Sequence, residues 1–346
     1  MPTASRELTA KCVNTIRMLA ADAVQQANSG HPGMPMGAAE MAFVLWTRHL
    51  RFDPSEPRWL GRDRFILSAG HGSMLLYSML HLSGYDLGLD DLRHFRQLHS
   101  RTPGHPEFHF TPGVEVTSGP LGQGFANGVG FALGQAMLSA KLGRGNPLED
   151  HFVYAICSDG DLMEGVSSEA ASFAGHHRLG RLVYLYDDNG ITIDGQTSIT
   201  FTEDVTRRFE AYGWHVQSVD GHDMQGISRA LDAAKAELGR PSLIRVKTVI
   251  GFGAPKKAGT PGVHGAALGE EELAATKKNL GWPESPRFLV PDDVRAYWDE
   301  VQEEKRALRA AWEDRARAWR AANAERAALL DAHLERRVPA DLRQKL

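Results

Sequence analysis

Residues 152–191 constrain the fold more than any other stretch. Phe152-Val-Tyr-Ala-Ile-Cys157 is a short apolar run that fits a buried strand, and Ser158-Asp-Gly-Asp161 breaks it. Glu169 to His177 is compatible with a helix. Leu182-Val-Tyr-Leu-Tyr186 reads as a second strand, ended by Asp187-Asp-Asn-Gly190. Strand, helix and strand make a βαβ unit, which predicts a parallel sheet covered by helices. Ligands of such sheets sit outside the carboxyl ends of the strands, where Asp159 and Asn189 both fall. One carboxylate and one amide oxygen are too few for a metal cage built from protein alone. They suit Mg²⁺ or Ca²⁺ completed by phosphate oxygens, a backbone carbonyl and water. Asp, Asn and Gly also dominate ordinary turns, so the local pattern leaves both readings open.

The rest of the chain extends the same alternation. Helices are predicted over 6–28, 37–48, 74–82, 90–98, 124–142, 205–212 and 224–238. Strands are predicted over 64–68, 215–219 and 243–249. This is an α/β chain with a mostly parallel central sheet flanked by helices. Residues 100–124 form a long loop rich in Pro and Gly, and 251–269 form a second glycine-rich loop; loops of that length in a compact domain are usually functional or disordered. Gly124, Gly128, Gly130 and Gly134 lie in one predicted helix, which costs helix stability and predicts close packing against another backbone. Beyond Gly281 the composition shifts to Arg, Glu and Ala. There Leu308, Trp312, Ala316 and Trp319 recur at helical spacing as a stripe expected to pack on the body. The expected division is residues 1–281 as one domain, 282–337 as a helical extension and 338–346 as the start of a linker or tail.

Bulk properties narrow the function classes. A net charge of −4 gives no basic excess for nucleic acid or an anionic membrane. No apolar run is long enough for a transmembrane helix. Cys12 and Cys157 both sit among apolar residues, which fits a reducing compartment and a cytoplasmic location. There is no phosphate loop ending in Gly-Lys-Ser/Thr, and Gly119-Pro-Leu-Gly-Gln-Gly124 follows a loop rather than a strand, so neither common nucleotide fingerprint is met. His31, His71, His105 and His264 each lie beside glycine in a predicted loop, where a ring is able to face a pocket. With no Cys beside them and no His-Glu-x-x-His, zinc is weakly supported.

These contexts resemble the N-terminal segment of transketolase, a thiamine-diphosphate enzyme, over nearly the whole chain. The matching motifs, in order, begin with Ser29-Gly-His-Pro-Gly33, Asp63-Arg-Phe65, Gly70-His-Gly-Ser73, Phe95-Arg-Gln-Leu-His99, Thr102-Pro-Gly-His-Pro106 and Gly119 to Gly124. They continue with Asp159-Gly160, Met163-Glu-Gly165, Tyr186-Asp-Asp-Asn-Gly190, Phe209-Glu-Ala-Tyr-Gly-Trp214 and His264-Gly265. The resemblance implies the thiamine-diphosphate-binding fold and the domain that holds the diphosphate.

Several roles follow from the resemblance alone. Asp159, Asn189 and the carbonyl of Ile191 would hold Mg²⁺ or Ca²⁺ against the diphosphate, which Gly160 would let approach closely. Gly119 and Leu121 would line the cofactor, with Leu121 as an apolar wall. His31 and His264 would contact the donor oxygen and assist proton transfer, His264 also touching the cofactor. His71 would lie near the diphosphate and the reacting centre, His105 would orient substrate hydroxyls, and Arg96 would attract a phosphorylated sugar. Glu164 would link paired sites. The implied reaction moves a two-carbon ketol unit from a ketose phosphate to an aldose phosphate, with the cofactor as electron sink.

Two positions depart from the family pattern. Ser158 stands where the metal motif usually has glycine, and its hydroxyl is available for a hydrogen bond. Pro261 stands where an earlier histidine is common. Nothing in 270–346 resembles the pyrimidine-binding domain whose glutamate activates the cofactor. The expectation is therefore a split subunit or a piece of a longer chain, inactive alone, completed by a pyrimidine-domain partner or the remainder of the chain. A homodimer of this domain or a heterotetramer would be the assembly. A dihydroxyacetone-synthase-like enzyme and a catalytically silent subunit are the alternatives, while the spacing disfavours a deoxyxylulose-phosphate-synthase-like enzyme.

Overall fold

The computed structural model describes residues 4–345. Five strands, β1 (Arg64–Leu67), β2 (Val153–Ser158), β3 (Leu182–Asp188), β4 (His215–Asp220) and β5 (Ser242–Lys247), form one sheet in the order β1-β2-β3-β5-β4. Every neighbouring pair is parallel. β2 and β3 are buried along their whole length, as continuous apolar runs in a sheet covered on both faces require.

The two-residue period of a strand divides the core. Tyr154, Ile156, Val183 and Leu185 enter one cluster, with the helices Arg6–Ala27, Ser73–Leu82 and Met224–Ala236. Val153, Ala155, Cys157, Leu182, Tyr184 and Tyr186 enter the other, with Gln123–Leu142, Gly165–His176 and Val205–Ala211. Both cysteines are buried and free.

Glycine accounts for two close contacts of the helix Gln123–Leu142 on the second face. A Cβ on Gly124 would lie 2.5 Å from Ser68 Cα, and one on Gly128 would lie 2.2 Å from the Tyr184 hydroxyl. The Tyr184 hydroxyl donates to the carbonyl of Phe125 in that same helix. Close packing against a backbone thus holds for Gly124, while Gly128 makes room for a side chain. Gly130 and Gly134 meet nothing within 4 Å, so no contact among the described residues requires them.

Some boundaries move. The helix predicted over 37–48 is two short helices, Gly33–Gly37 and Ala39–Val44, followed by a wider turn at Leu45–His49. The helix predicted over 90–98 is confined to Leu89–Arg93, because the chain turns left-handed at Arg96 and His99. Asp159-Gly-Asp161, read as a break, instead begins the short helix Asp159–Met163, with Ser158 as its cap. A second helix, Gly165–His176, follows and starts before the predicted 169.

The C-terminal extension is a 31-residue helix, Asp292–Ala322, then Ala324–Leu334, with a non-helical backbone at Asn323 between them. Ala316 and Trp319 are buried as expected, and the Trp312 indole donates to the carbonyl of Pro147. Leu308 is exposed: the buried stripe runs instead through Val294, Tyr297, Trp298 and Val301, which join the first core cluster. In the expected linker, Leu342–Lys345 makes one helical turn. Ahead of the extension, the buried pair Lys277–Asp22 (2.7 Å) and the Phe288 backbone N–H on Asp22 Oδ2 (2.8 Å) tie 277–288 to the first helix. Removing one member of such a buried pair typically costs about 3–5 kcal/mol.

Candidate cofactor-binding site

The carboxyl ends of β1, β2 and β3 open into a cleft of about 480 Å³. Asp159 enters it from the first residue of the short helix after β2. Its carboxylate takes the Tyr186 hydroxyl on Oδ1 and the Gly190 backbone N–H on Oδ2, at 3.0 Å. Burial pushes its pKa up to about 6 against the Tyr186 hydrogen bond, and the charge of Asp188 adds to the rise. Asn189, just past β3, donates from Nδ2 to Asp187 Oδ2 (2.8 Å) and accepts the Ile191 N–H on Oδ1 (3.0 Å). Asp187 has no exposed surface, and burial pushes its carboxyl up to about 7. Asp188 is engaged elsewhere, with Arg245 (2.6 Å) and Lys247 (3.3 Å).

Asp161 joins three segments. Its Oδ1 accepts the Ser68 hydroxyl (2.7 Å) and the Gly122 N–H (2.8 Å), and its Oδ2 accepts the Ser158 N–H (2.9 Å) and hydroxyl (3.3 Å). The serine that replaces glycine at 158 therefore does gain a hydrogen bond, to a partner three residues on. Gly119 and Leu121 line the same cleft. Gly119 has φ +140, where a side chain is strained, and a Cβ there would sit 3.1 Å from the His105 ring. A Cβ on Gly160 would lie 2.8 Å from Leu121 Cδ1. Glu164 stands exposed at the rim, between the two short helices.

Four imidazoles from three separate segments and the far loop converge on the cleft. The His31 ring centroid lies 5.3 Å from His71, 5.7 Å from His264 and 6.2 Å from His105. His71 and His264 stack at 5.1 Å with 17° between their planes. Burial lowers the pKa of all four. For His31 burial, then the neighbouring His264 and Arg96, bring it down to about 4. His264 Nδ1 is buried with no hydrogen-bond partner.

The loop carrying His264 is clipped to the loop carrying His31. The Gly251 N–H donates to the Gly33 carbonyl (2.8 Å), and a Cβ on Gly33 would press to 2.6 Å from the Val263 carbonyl. Pro261 opens a single turn, Pro261–Val263, directly before His264. Arg96 is not in the cleft wall. Its guanidinium reaches the Ser29 hydroxyl (2.8 Å) and His31 Nδ1 (3.4 Å), so it stands behind His31.

Asp161, Tyr186 and Asp187 escape a reading of the sequence for site residues. For Asp161 a signal exists: Ser158-x-x-Asp161 is a capping-box spacing at the start of a helix. Tyr186 lies hidden in an apolar run, and Asp187 reads as turn chemistry.

Comparison with known proteins shows the family. A family model described as "Transketolase, thiamine diphosphate binding domain" matches residues 8–339. The chain belongs to the transketolase family. It is 54% identical over 330 residues to a transketolase of Geobacillus stearothermophilus, covering 94% of this chain and 49% of the relative. It is 57% identical over 333 residues to transketolase 1 of Aliivibrio fischeri, covering 95% and 49%. Among solved structures, transketolase from Leishmania mexicana superposes with TM-score 0.95 at 47% identity, over 100% of this chain and 51% of that one. A Pichia stipitis transketolase in complex with sedoheptulose 7-phosphate superposes with TM-score 0.93 at 46% identity, over 96% and 50%. The chain spans about half the length of the curated relatives it matches.

The residues of this transketolase-family chain fit the group that the family description names. Asp159 and Asn189 bring a carboxylate and an amide to the cleft that Ile191 also lines, and oxygen donors of this kind suit a divalent cation whose other positions go to diphosphate oxygens. Gly160 and Gly119 leave room for the Leu121 and His105 side chains that line the cleft beside them. Among the described residues, no group of three or more His, Cys, Asp or Glu is placed to hold a metal by side chains alone.

Proposed function

We propose that this chain is the diphosphate- and metal-holding part of a transketolase, moving a two-carbon ketol unit from a ketose phosphate to an aldose phosphate. The observation that carries the reading is the convergence of His31, His71, His105 and His264 with Asp159, Asn189 and Ile191 in one cleft. When bound, thiamine diphosphate supplies the nucleophilic carbon and the electron sink.

The protein's own residues bind, orient and move protons. Asp159, Asn189 and the Ile191 carbonyl hold Mg²⁺ or Ca²⁺. Gly160, Gly119, Leu121 and His71 shape the wall around the cofactor, and Glu164 reaches toward a paired site at the rim. Burial disfavours the cations of His31 and His264 and so favours the neutral rings. Each offers one nitrogen as acceptor and one N–H as donor, suited to a substrate oxygen that gains or loses a proton. His105 orients sugar hydroxyls. Arg96 acts on His31 directly and adds positive charge for an approaching sugar phosphate.

Completion requires a pyrimidine-binding unit, as a separate subunit or as further chain, because the matched relatives are about twice as long. The free glycine face at Gly130 and Gly134 supports self-association into a homodimer, or a heterotetramer with that unit. Free, buried cysteines agree with a cytoplasmic setting. No helix among the described residues is long and apolar enough to cross a membrane.

The test is a steady-state assay with xylulose 5-phosphate, ribose 5-phosphate, thiamine diphosphate and Mg²⁺. No turnover is expected from the chain alone, and turnover is expected on adding a pyrimidine-domain unit made from the second half of a relative. Robust turnover by the chain alone would refute the need for that unit. Failure to bind cofactor even with the unit present would refute the enzymatic reading.

A further inference from the structure

The two ends of an Asn side chain are alike in size and opposite in chemistry. Only Oδ1 is able to ligate a cation; an amide turned by 180° would present Nδ2, which has no lone pair to give. Something must therefore choose the orientation of Asn189. Two neighbours make that choice in the same direction. The Ile191 N–H points at Oδ1 (3.0 Å), and the Asp187 carboxylate receives Nδ2 (2.8 Å). In the turned amide, an N–H would face an N–H and an oxygen would face a carboxylate.

The backbone N–H of Ile191 is present whatever the side chains are. Asp187 is the residue that makes the choice depend on sequence. It is wholly buried, and its other oxygen is held by the Thr248 hydroxyl, just beyond β5. β3 and β5 pair in register up to Asp188–Lys247, so Thr248 arrives beside Asp187 as a consequence of the sheet. Asp188 does not duplicate the role, because its carboxylate is taken by Arg245 and Lys247.

We infer that Asp187 is a positioning residue: pinned by Thr248, it fixes the Asn189 amide so that Oδ1 faces the cation. The inference rests on Asp159, Asn189 and Ile191 forming the cation site.

The experiment measures Mn²⁺ binding to the full chain by electron paramagnetic resonance, with thiamine diphosphate present. Asp187→Asn keeps the shape but supplies both a donor and an acceptor, so position 187 no longer selects the orientation of Asn189 and only the Ile191 N–H still favours Oδ1. Its Mn²⁺ affinity is expected to fall by roughly 10- to 100-fold, as for other outer-shell partners of metal ligands. In an Asn189→Asp background there is no amide to orient, and the same Asp187→Asn change is expected to cause no loss. A loss equal in both backgrounds, or an Asp187→Asn affinity within about threefold of wild type, would overturn the inference. If Asp187→Asn does not fold, Thr248→Val frees the Asp187 carboxylate while sparing Asn189. Several-fold weaker Mn²⁺ binding is then expected, and unchanged binding would overturn the inference. Wild-type chain that binds no Mn²⁺ at all would instead remove the cation site, and the inference with it.

Discussion

Asp161 Oδ1 accepts the backbone N–H of Gly122 at 2.8 Å, and that hydrogen bond joins the glycine loop of residues 119–124 to the turn that carries Asp159. The same carboxylate caps the Asp159–Met163 helix through the Ser158 N–H and holds the Ser68 hydroxyl at the end of β1. One buried acid thus sets the spacing of both loops around the cleft.

Asp161→Asn tests that role. The amide keeps one acceptor and turns a donor toward the N–H of Gly122 or of Ser158. A mismatched buried donor costs about 1–3 kcal/mol, so urea unfolding should show a loss of that size. Thiamine diphosphate binding should weaken with it, because Gly119 and Leu121 lose their registration to Asp159. Wild-type stability in the variant would mean that the two loops are held by other contacts.

Asp159→Ala removes the one carboxylate that reaches the proposed cation. Metal-dependent binding of thiamine diphosphate should disappear in titration calorimetry, while the chain stays folded. Asp159→Asn should keep a hydrogen bond from Tyr186 yet bind Mg²⁺ far more weakly, since the charge is gone. Equal affinity in wild type and Asp159→Ala would place the cation elsewhere.

The pH response of the histidines has a definite sign. His31 has a folded pKa of about 4, against about 6.5 for an unfolded chain. Between these values the unfolded chain binds more protons, so stability rises with pH there. The contribution of His31 is complete above its unfolded pKa and is lost as pH drops toward its folded pKa; His71 and His264 shift in the same direction. Urea midpoints should decline from pH 7 to pH 5, and His31→Gln should flatten that decline. Imidazole NMR should show His31 still neutral at pH 5.5. A midpoint above 6 would contradict the buried setting of the ring.

The sheet was legible because β2 and β3 are short apolar runs ended by Asp and Asn, and strand ends are where a parallel sheet exposes ligating groups. On that ground Asp159 and Asn189 stood out as candidates, with ordinary turns an equally open reading. The convergence of His31, His71, His105 and His264 did not stand out, because their segments meet only through the parallel pairing of β1, β2 and β3 and the clip between Gly33 and Gly251. Family resemblance supplied that grouping. The supporting acids were the least visible, since Asp161 and Asp187 carry the same letters as solvent-facing turns and only burial distinguishes them. Leu308 failed for the opposite reason: a helix of 31 residues drifts across its own apolar stripe, and its neighbours decide which side is covered.

Two glycines in one helix should respond to alanine in opposite ways. A Cβ at Gly124 would stand 2.5 Å from Ser68 Cα, and that backbone is fixed by the sheet. Gly124→Ala should therefore lose about 1–3 kcal/mol through overpacking. A Cβ at Gly134 meets nothing within 4 Å, so Gly134→Ala should gain about 0.5–1 kcal/mol from helix propensity. Dilute protein carrying Gly134→Ala should melt at a higher temperature than wild type. If that bare face seats a second copy of the chain, the added methyl also separates the two helices. Sedimentation velocity across a concentration series should then show a smaller dimer fraction for the more stable monomer. Higher stability with unchanged self-association would locate the contact between copies on another face.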